Sequence, residues 1–536
     1  MPLALKGQRS RLNLGHIPAP IGGINTVSPG VEMPKSDCIY AWNVIGAEYG
    51  LRPRLGWREW CTGLNGEQVR SLLPFTGSTK SGSNNRLFAA TTSGIWDVSA
   101  SSATPTQVVT FGVQNADSGY GASTVMVTAA GHFLCYCDEA NGYYVYTEST
   151  ATWTQGGLGG NPVTGVDPAT LVFVLAWKNR LWFVEGDSGR AWYLGIGAVT
   201  GAATSFTFGN RFKYGGDLRC LANWSYDGGT GMDDSLVAVS GGGDLVIYQG
   251  TDPASAATFA LQGVWYVGGV PVGRRLTTDI GGDVLVMSSL GLVPLSKLVT
   301  GLVLYDRSQY RTAKIANLFN QVMAATSTLP GWAMRVHPQD NALVVLVPTA
   351  VNQAAEPMVM SLSTQGWSRY RDMPIGVCAE PWGGDFYFGT QDGRVCIAYG
   401  YVDGVTLATP TTGYTPIDCS LLTAYTNLGS PSMKRVKTIA VTTVSQGGNV
   451  SMNVRAKYKW DTTEIDRPTA TATAGASSWD SGLWDSALWG GSYTPQRQVF
   501  GAYGMGPEAA IGLRWASSSR MSLTGIDVSF ETGGPL

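Results

Sequence analysis

Residues 383–399 read GGDFYFGTQDGRVCIAY. Phe386 and Phe388 alternate at the two-residue period of a strand, Gln391-Asp392-Gly393 supplies a turn, and Val395, Ile397 and Tyr399 resume the alternation. Asp-Gly between alternating apolar runs signals a hairpin, because glycine adopts a positive φ without steric cost. The same unit recurs in looser form upstream. Residues 86–98 turn at Thr92-Ser93-Gly94, residues 132–146 at Asn141-Gly142, and residues 180–194 over positions 186–189. Residues 236–248 turn over 241–244 and residues 284–295 over 288–291, while 343–347 and 358–362 form a pair with a longer connection. Successive hairpins begin roughly 45–60 residues apart, near the repeat length of a four-stranded propeller blade. One blade cannot bury both its faces alone, so blades must pack on one another around an axis. The pattern predicts an all-β chain built on a β-propeller of six or seven blades.

At 536 residues the chain is long enough for several domains and a large core. Only 14% of residues are charged, 10% are aromatic and 70 are glycine, a balance opposite to that of disordered chains. The formal net charge of −2 gives no basic excess, so charge alone does not make the chain a nucleic-acid binder. A conduit through which DNA merely slides is compatible with that balance, since weak phosphate attraction leaves the polymer free to move. The eight cysteines lack paired CxxC spacing. Cys135 and Cys137 share one face of a strand, where a disulfide between such neighbours has poor geometry. Buried free thiols, in a chain folded in a reducing cytoplasm, are expected. Residues 1–25 lack the apolar core of a signal peptide, and no run reaches the ~18 apolar residues of a membrane helix. A soluble, cytoplasmically made protein is therefore expected.

Residues 21–57, IGGINTVSPGVEMPKSDCIYAWNVIGAEYGLRPRLGW, are a different kind of object. Gly22-Gly23-Ile24-Asn25 opens a loop, Met33-Pro34 to Asp37 forms a turn, and residues 39–44 read as a short strand. Arg52 and Arg54 then place two guanidinium groups on one side, just before Trp57. Two readings stay open for them, surface ion-pair partners or interface anchors. Over residues 310–325, Ile315, Leu318, Phe319, Val322 and Met323 fall at helical spacing, with Ser308 as N-cap; this isolated amphipathic helix packs on a blade, meets a neighbouring subunit or lines the ring. From about residue 402 the hairpin cadence stops. Arg455, Lys457 and Lys459 fall at period two, a solvated strand edge or a row facing DNA in a lumen. Residues 469–476 are an Ala/Thr-rich linker leading to Trp479, Trp484 and Trp489, which recur every five residues and fit neither strand nor helix period. Rings so placed on a loop act as an anchor against protein or stack on sugar.

The pattern GGIN…MP…D…WN…G…LRPRLGW over residues 22–57 resembles the N-terminal signature of tail nozzle, or tail hub, proteins of short-tailed bacteriophages. Further stretches resemble that family in order: GWAMRVHPQDNALVVLVP (331–348), QGWSRY (365–370) with 386–393, 420–439 with Leu428-Gly429 and Lys434-Arg435-Val436-Lys437, and RMSLTGIDVSFETGG (520–534). Residues 100–330 match only in repeat character. The resemblance implies an N-terminal strand-loop segment (1–60) contacting the ring or the C-terminal domain, a propeller (61–400), and a C-terminal β-sandwich-like domain with the Trp-rich loop (401–536). It also implies a structural virion protein, assembled in the host cytoplasm. Six copies would form a ring that extends and gates the DNA ejection channel below an adaptor or connector ring and helps to anchor fibres. The implied partners are tail fibres or spikes, internal ejection proteins, double-stranded DNA in transit without sequence-specific binding, and the host cell envelope. Arg52, Arg54, Trp57, Trp479, Trp484 and Trp489 are the candidate interface residues.

Gly186-Asp187-Ser188-Gly189 resembles the nucleophile loop of chymotrypsin-like proteases, but that chemistry needs a histidine poised by a carboxylate. The chain has only His16, His132 and His337, and the tetrapeptide sits where a hairpin turn is expected. No HExxH, GxSxG or GxxxxGK[ST] motif occurs, nor the repeated Ser-x-Asp-x-Gly-x-x-Trp box of propeller sialidases. The expectation is no enzyme: no catalytic, cofactor-binding or metal-ligating residue is assigned. Two rival classes remain, a carbohydrate-binding or depolymerising tail protein that engages the host surface through its tryptophans, and a bacterial propeller scaffold.

Overall fold

The computed structural model describes residues 12–227, 232–301, 306–350, 353, 355–410, 412–446, 450–469 and 494–533. Each hairpin legible in the sequence is the middle of a blade. Blade 1 comprises Ser71–Phe75, Arg86–Ala90, Gly94–Asp97 and Thr106–Thr110; blade 2 comprises Gly121–Thr128, Gly131–Asp138, Gly142–Thr147 and Thr152–Gln155. Blade 3 is Leu171–Trp177, Arg180–Glu185, Arg190–Tyr193 and Thr204–Thr207, and blade 4 is Leu218–Asp227, Met232–Ser240, Asp244–Gly250 and Phe259–Tyr266. Blade 5 has three strands, Thr277–Ile280, Asp283–Ser288 and Gly291–Pro294. Blade 6 is Ala333–His337, Ala342–Leu346, Met358–Ser361 and Trp367–Arg369; blade 7 opens with Ala379–Trp382, Asp385–Gly389 and Val395–Ala398. First strands succeed one another around a single axis, and that of blade 7 returns to that of blade 1. The chain is a seven-bladed β-propeller.

The fourth strand of blade 7 comes from far upstream. Trp57–Cys61 runs antiparallel to Val395–Ala398, with Trp57 opposite Ala398 and Cys61 opposite Val395. The ring is thus closed by joining the two ends of the propeller in one sheet, and the strand crosses the boundary expected at residue 60.

The alternation in residues 383–399 now has a physical meaning. Phe386, Phe388, Cys396 and Ala398 bury into the core shared with blade 6, while Tyr387, Val395 and Ile397 bury into the core shared with blade 1. Adjacent tyrosines of blade 2 divide the same way, Tyr143 against blade 3 and Tyr144 against blade 1. Both faces of a middle strand are buried, each large side chain contributing about 1.5–3 kcal/mol. Parity decides which neighbour it serves. Gly393 carries the turn at φ 78°, where a Cβ would stand 2.8 Å from the backbone of Gly66.

Blade 6 does not end at its fourth strand. Trp367–Arg369 continues through Gly23–Ile24 and Asp37–Trp42 into Thr415–Thr423, Ala510–Ser517 and Ser451–Lys457. A second sheet joins Val44–Ala47, Gly50–Pro53, Met521–Thr532, Lys434–Ser445 and Thr494–Gly501, with Leu12–Pro18 also on Met521–Thr532. Ile417, Leu421, Leu513 and Trp515 of the first sheet share one apolar core with Val436, Ile439, Ile526 and Val528 of the second. The first sixty residues therefore supply strands to both C-terminal sheets and to the propeller.

The helix spans Ala316–Thr326, preceded by two short 3-10 turns. Ile315, Phe319 and Met323 are buried, Leu318 and Val322 pack at the margin of the same core, and the stripe serves the chain's own interior. The helix starts six residues later than its periodicity suggests, with Ile315 rather than Ser308 at the cap. Ser308 instead donates to Asp306. Among the described residues, no helix is long and apolar enough to cross a membrane.

All eight cysteines are free and buried. Burial pushes the Cys61 thiol up to about 11 and that of Cys135 up to about 12, so the reactive thiolate is scarce at neutral pH. A thiol-titrating disulfide reagent at pH 8 is expected to leave the native chain unmodified over minutes and to count eight thiols in denaturant. Rapid native labelling would show that these side chains are accessible.

Candidate functional site

Asn43 lies between Asp37–Trp42 and Val44–Ala47 at φ 59°, a left-handed conformation that asparagine tolerates. Its amide is fixed on every side. Asn43 Nδ2 donates to the Asp418 carbonyl, and its Oδ1 accepts from Arg54 Nε at 3.0 Å and from the Arg371 amide at 2.8 Å. Arg54 is fully buried and donates from both terminal nitrogens to the Asp403 carboxylate at 2.7 and 2.8 Å. Its remaining donors reach the carbonyls of Leu55 and Arg371. Burial works against this charge, but Asp403 more than offsets it and holds the guanidinium pKa above its ordinary value.

Two more guanidiniums complete the junction. Arg371 binds Glu464 at 2.6 Å and Asp418 at 3.2 Å, and Arg514 chelates Asp418. Arg54, Arg371 and Arg514 thus face Asp403, Asp418 and Glu464, three charges of each sign. Planar forks suit such bidentate pairing in a way lysine does not. The network joins the N-terminal stretch, the link between blades 6 and 7, and the C-terminal sheets.

Arg52 takes a different route. It donates to Asp340 Oδ1 at 2.7 Å and to the Asp340 carbonyl at 3.0 Å, on the turn of blade 6. His337 beside it stacks on Phe386 at 4.3 Å, and burial lowers its pKa. Gly23, at φ 73°, lies against the Trp367 backbone so closely that a Cβ would stand 2.2 Å from the Trp367 nitrogen. The separate motifs of the sequence, around residues 23, 52, 340 and 367, meet at one place.

A second polar cluster plugs the propeller axis. Arg274 and Arg275 precede the first strand of blade 5 and are both buried. Arg274 binds Glu139 at 2.6 Å, beside blade 2, and donates to the carbonyls of Leu218 and Arg219 in blade 4. Arg275 Nη2 donates to the carbonyls of Arg70 and Val377, at the approaches to blades 1 and 7. The pair cross-braces the ring. Burial opposes both charges; Glu139 raises the Arg274 pKa regardless, whereas that of Arg275 is lowered. Cavities of about 370 and 290 Å³ flank this plug and share Gly121, Arg274 and Arg275. Neither admits a duplex whose major groove alone is about 12 Å wide.

Several sequence expectations change here. Arg52 and Arg54 are spent within the chain, and Arg54, with no exposed surface, cannot anchor a neighbour. Trp57 Nε1 donates to the Asp372 carbonyl, and Arg394 lies 5.7 Å from its ring centroid. The basic row does not form as a row. Arg455 is exposed against Asp466, Lys457 turns in to Asp461 and Thr463, and Lys459 lies past the strand end at φ 55°. Trp479, Trp484 and Trp489 lie outside the described residues. Ser188 of the GDSG turn accepts from the Arg190 amide and donates to Glu185. Asp403, Asp418, Arg371 and the Arg274–Arg275 pair were not picked out from the sequence; only the adjacent arginines, in a chain with 36 basic residues, carried a visible signal. Among the described residues, no group of three histidine, cysteine or acidic side chains is placed to hold a metal ion.

Fold and site together define a seven-bladed propeller clasped to a C-terminal β-sandwich by its own N-terminal stretch. No family model and no curated protein matches the chain. Solved structures similar to it include the extracellular domain of the hybrid two-component system BT3049 from B. thetaiotaomicron, at 13% identity and TM-score 0.41, covering 69% of this chain and 47% of that one. U3-55K follows at 11% and 0.34, covering 62% and 95%; BamB from Moraxella catarrhalis matches at 14% and 0.34, covering 66% and 92%. The chain spans less than half the length of the first.

Proposed function

We propose that the chain is a structural virion protein, the nozzle or hub of a short phage tail, assembled as a ring of six around the path of the ejected DNA. The observation that carries this reading is the convergence of the resembling motifs. Residues 22–57, 331–348 and 365–370, which resemble the tail family in order, build one intramolecular junction through Gly23, Arg52, Arg54, Asp340 and Trp367. A junction in which Arg52 pairs with Asp340 and Arg54 with Asp403 holds propeller and sandwich in one fixed relation, as a rigid tube element requires. The propeller's own axis is too narrow for a duplex, so on this reading the conduit lies between copies. Leu12–Pro18 and Thr494–Gly501 support such assembly. Among the described residues each pairs on one side only, and Leu14 and Val499 on them are 80% and 63% exposed. Two different free edges suit the head-to-tail contact that closes a ring.

The test is to combine the purified chain with the connector ring from the same genome and weigh the product. Addition of a ring six times the 56.8 kDa chain is expected. A monomer indifferent to the connector would overturn the reading, and saturable glycan binding lost in W484A would establish the carbohydrate-binding alternative.

A further inference from the structure

The axial cavity of about 290 Å³ draws its wall from the first strands of all seven blades, with Arg275 at one end. Arg275 is more than nine-tenths buried. A buried guanidinium is costly unless its charge and its donors are met. Nη2 is met by the carbonyls of Arg70 and Val377 at 2.9 and 3.2 Å. Nε and Nη1 carry three further N–H groups. Among the described residues no carboxylate lies within ion-pair distance of Arg275, although its neighbour Arg274 has Glu139 at 2.6 Å.

The surroundings deepen that imbalance. Arg335 lines the same cavity and is paired, its Nε donating to Glu380 at 2.6 Å. Asp279, on the strand that follows Arg275, also lines the cavity, with the hydroxyls of Ser123, Thr277 and Thr278 and the amide of Asn223. The other cavity, across the arginine plug, sets Asp117, Glu139 and Asp187 against Arg274 and Arg275, whereas this one sets Asp279 and Glu380 against Arg274, Arg275 and Arg335. The balance of charge therefore favours an anion in this cavity rather than in the other.

We infer that the seven-stranded axial cavity is a binding site for a small oxyanion, a phosphate or a carboxylate, met by a free N–H of Arg275 and by the polar side chains of the wall. Both Nη2 hydrogens are committed to the Arg70 and Val377 carbonyls, so Arg275 offers single charge-assisted N–H contacts, and the hydroxyls of Ser123, Thr277 and Thr278 can meet the ion's other oxygens. The inference stands on this cavity alone and does not depend on the tail reading.

The experiment titrates inorganic phosphate into the full-length chain by calorimetry, at constant ionic strength set with chloride. Saturable one-to-one binding is expected, weakened at least tenfold in R275M and less in R275K. Because R275M also removes the brace to Arg70 and Val377, N223L serves as the second variant. It leaves Arg275 intact and fills the cavity from a position exposed to its lumen, and a loss of at least tenfold is expected there too. Competition by acetate would extend the site to carboxylates, and its absence would restrict the site to phosphate. No saturable binding by the native chain, or binding unchanged in N223L, overturns the inference.

Discussion

Replacing Arg54 with methionine is expected to destabilise the chain by about 3–5 kcal/mol, because it leaves the Asp403 carboxylate buried without its counter-ion. The geometry makes the loss specific. Both Asp403 oxygens, Asn43 Oδ1 and two backbone carbonyls accept from this one guanidinium, and Arg54 has no exposed surface. R54K keeps the charge but cannot supply five donors in a fork, so an intermediate loss is expected. In the R54M/D403L pair the orphaned charge is gone, and most of the loss is expected to return. Guanidinium denaturation of the four chains measures this. A single variant costing less than about 1 kcal/mol, or a double variant no better than R54M, would show that the junction is not held by this pair.

The second large effect is at the propeller axis. R274M is expected to cost about 3 kcal/mol, at the lower end of the range for breaking a buried pair, since Glu139 keeps some contact with water. The side chain spans from the approach to blade 5 to Glu139 beside blade 2 and to the Leu218 and Arg219 carbonyls of blade 4. Its removal leaves those acceptors without their donor and loosens three blades at once. Arg497 pairs with Asp527 in solvent, its side chain 61% exposed, and R497A is expected to change stability by no more than about 0.5 kcal/mol. Equal effects from R274M and R497A in the same denaturation assay would contradict the bracing role.

How much of this was legible follows from how each group is buried. Phe386, Phe388, Val395 and Ile397 announced their hairpin because both faces of a middle strand are apolar and its turn needs glycine. First strands line a polar axial cavity and fourth strands meet solvent, so Gly121–Thr128 or Thr106–Thr110 mix polar and apolar residues and read weakly. The fourth strand of blade 7 was not visible at all, because its partner Val395–Ala398 lies over 330 positions downstream. The LRPR arginines were noticed, but not their destination: Asp340 and Asp403 are as far along the chain as any surface acid would be.

The linear order of residues by itself set the all-β class, the hairpin cadence, the apolar stripe of the helix and the absence of paired cysteine spacing, since each depends on neighbours a few positions apart. Only the folded chain decided that the blades number seven, that Trp57–Cys61 closes the ring, and that Arg54 and Arg275 are interior rather than surface cations. Those facts depend on which distant segments share a sheet edge or an axis, and a charge is worth what its surroundings in space make it. Local pattern encodes the strands; burial, which is a property of the whole, assigns the arginines.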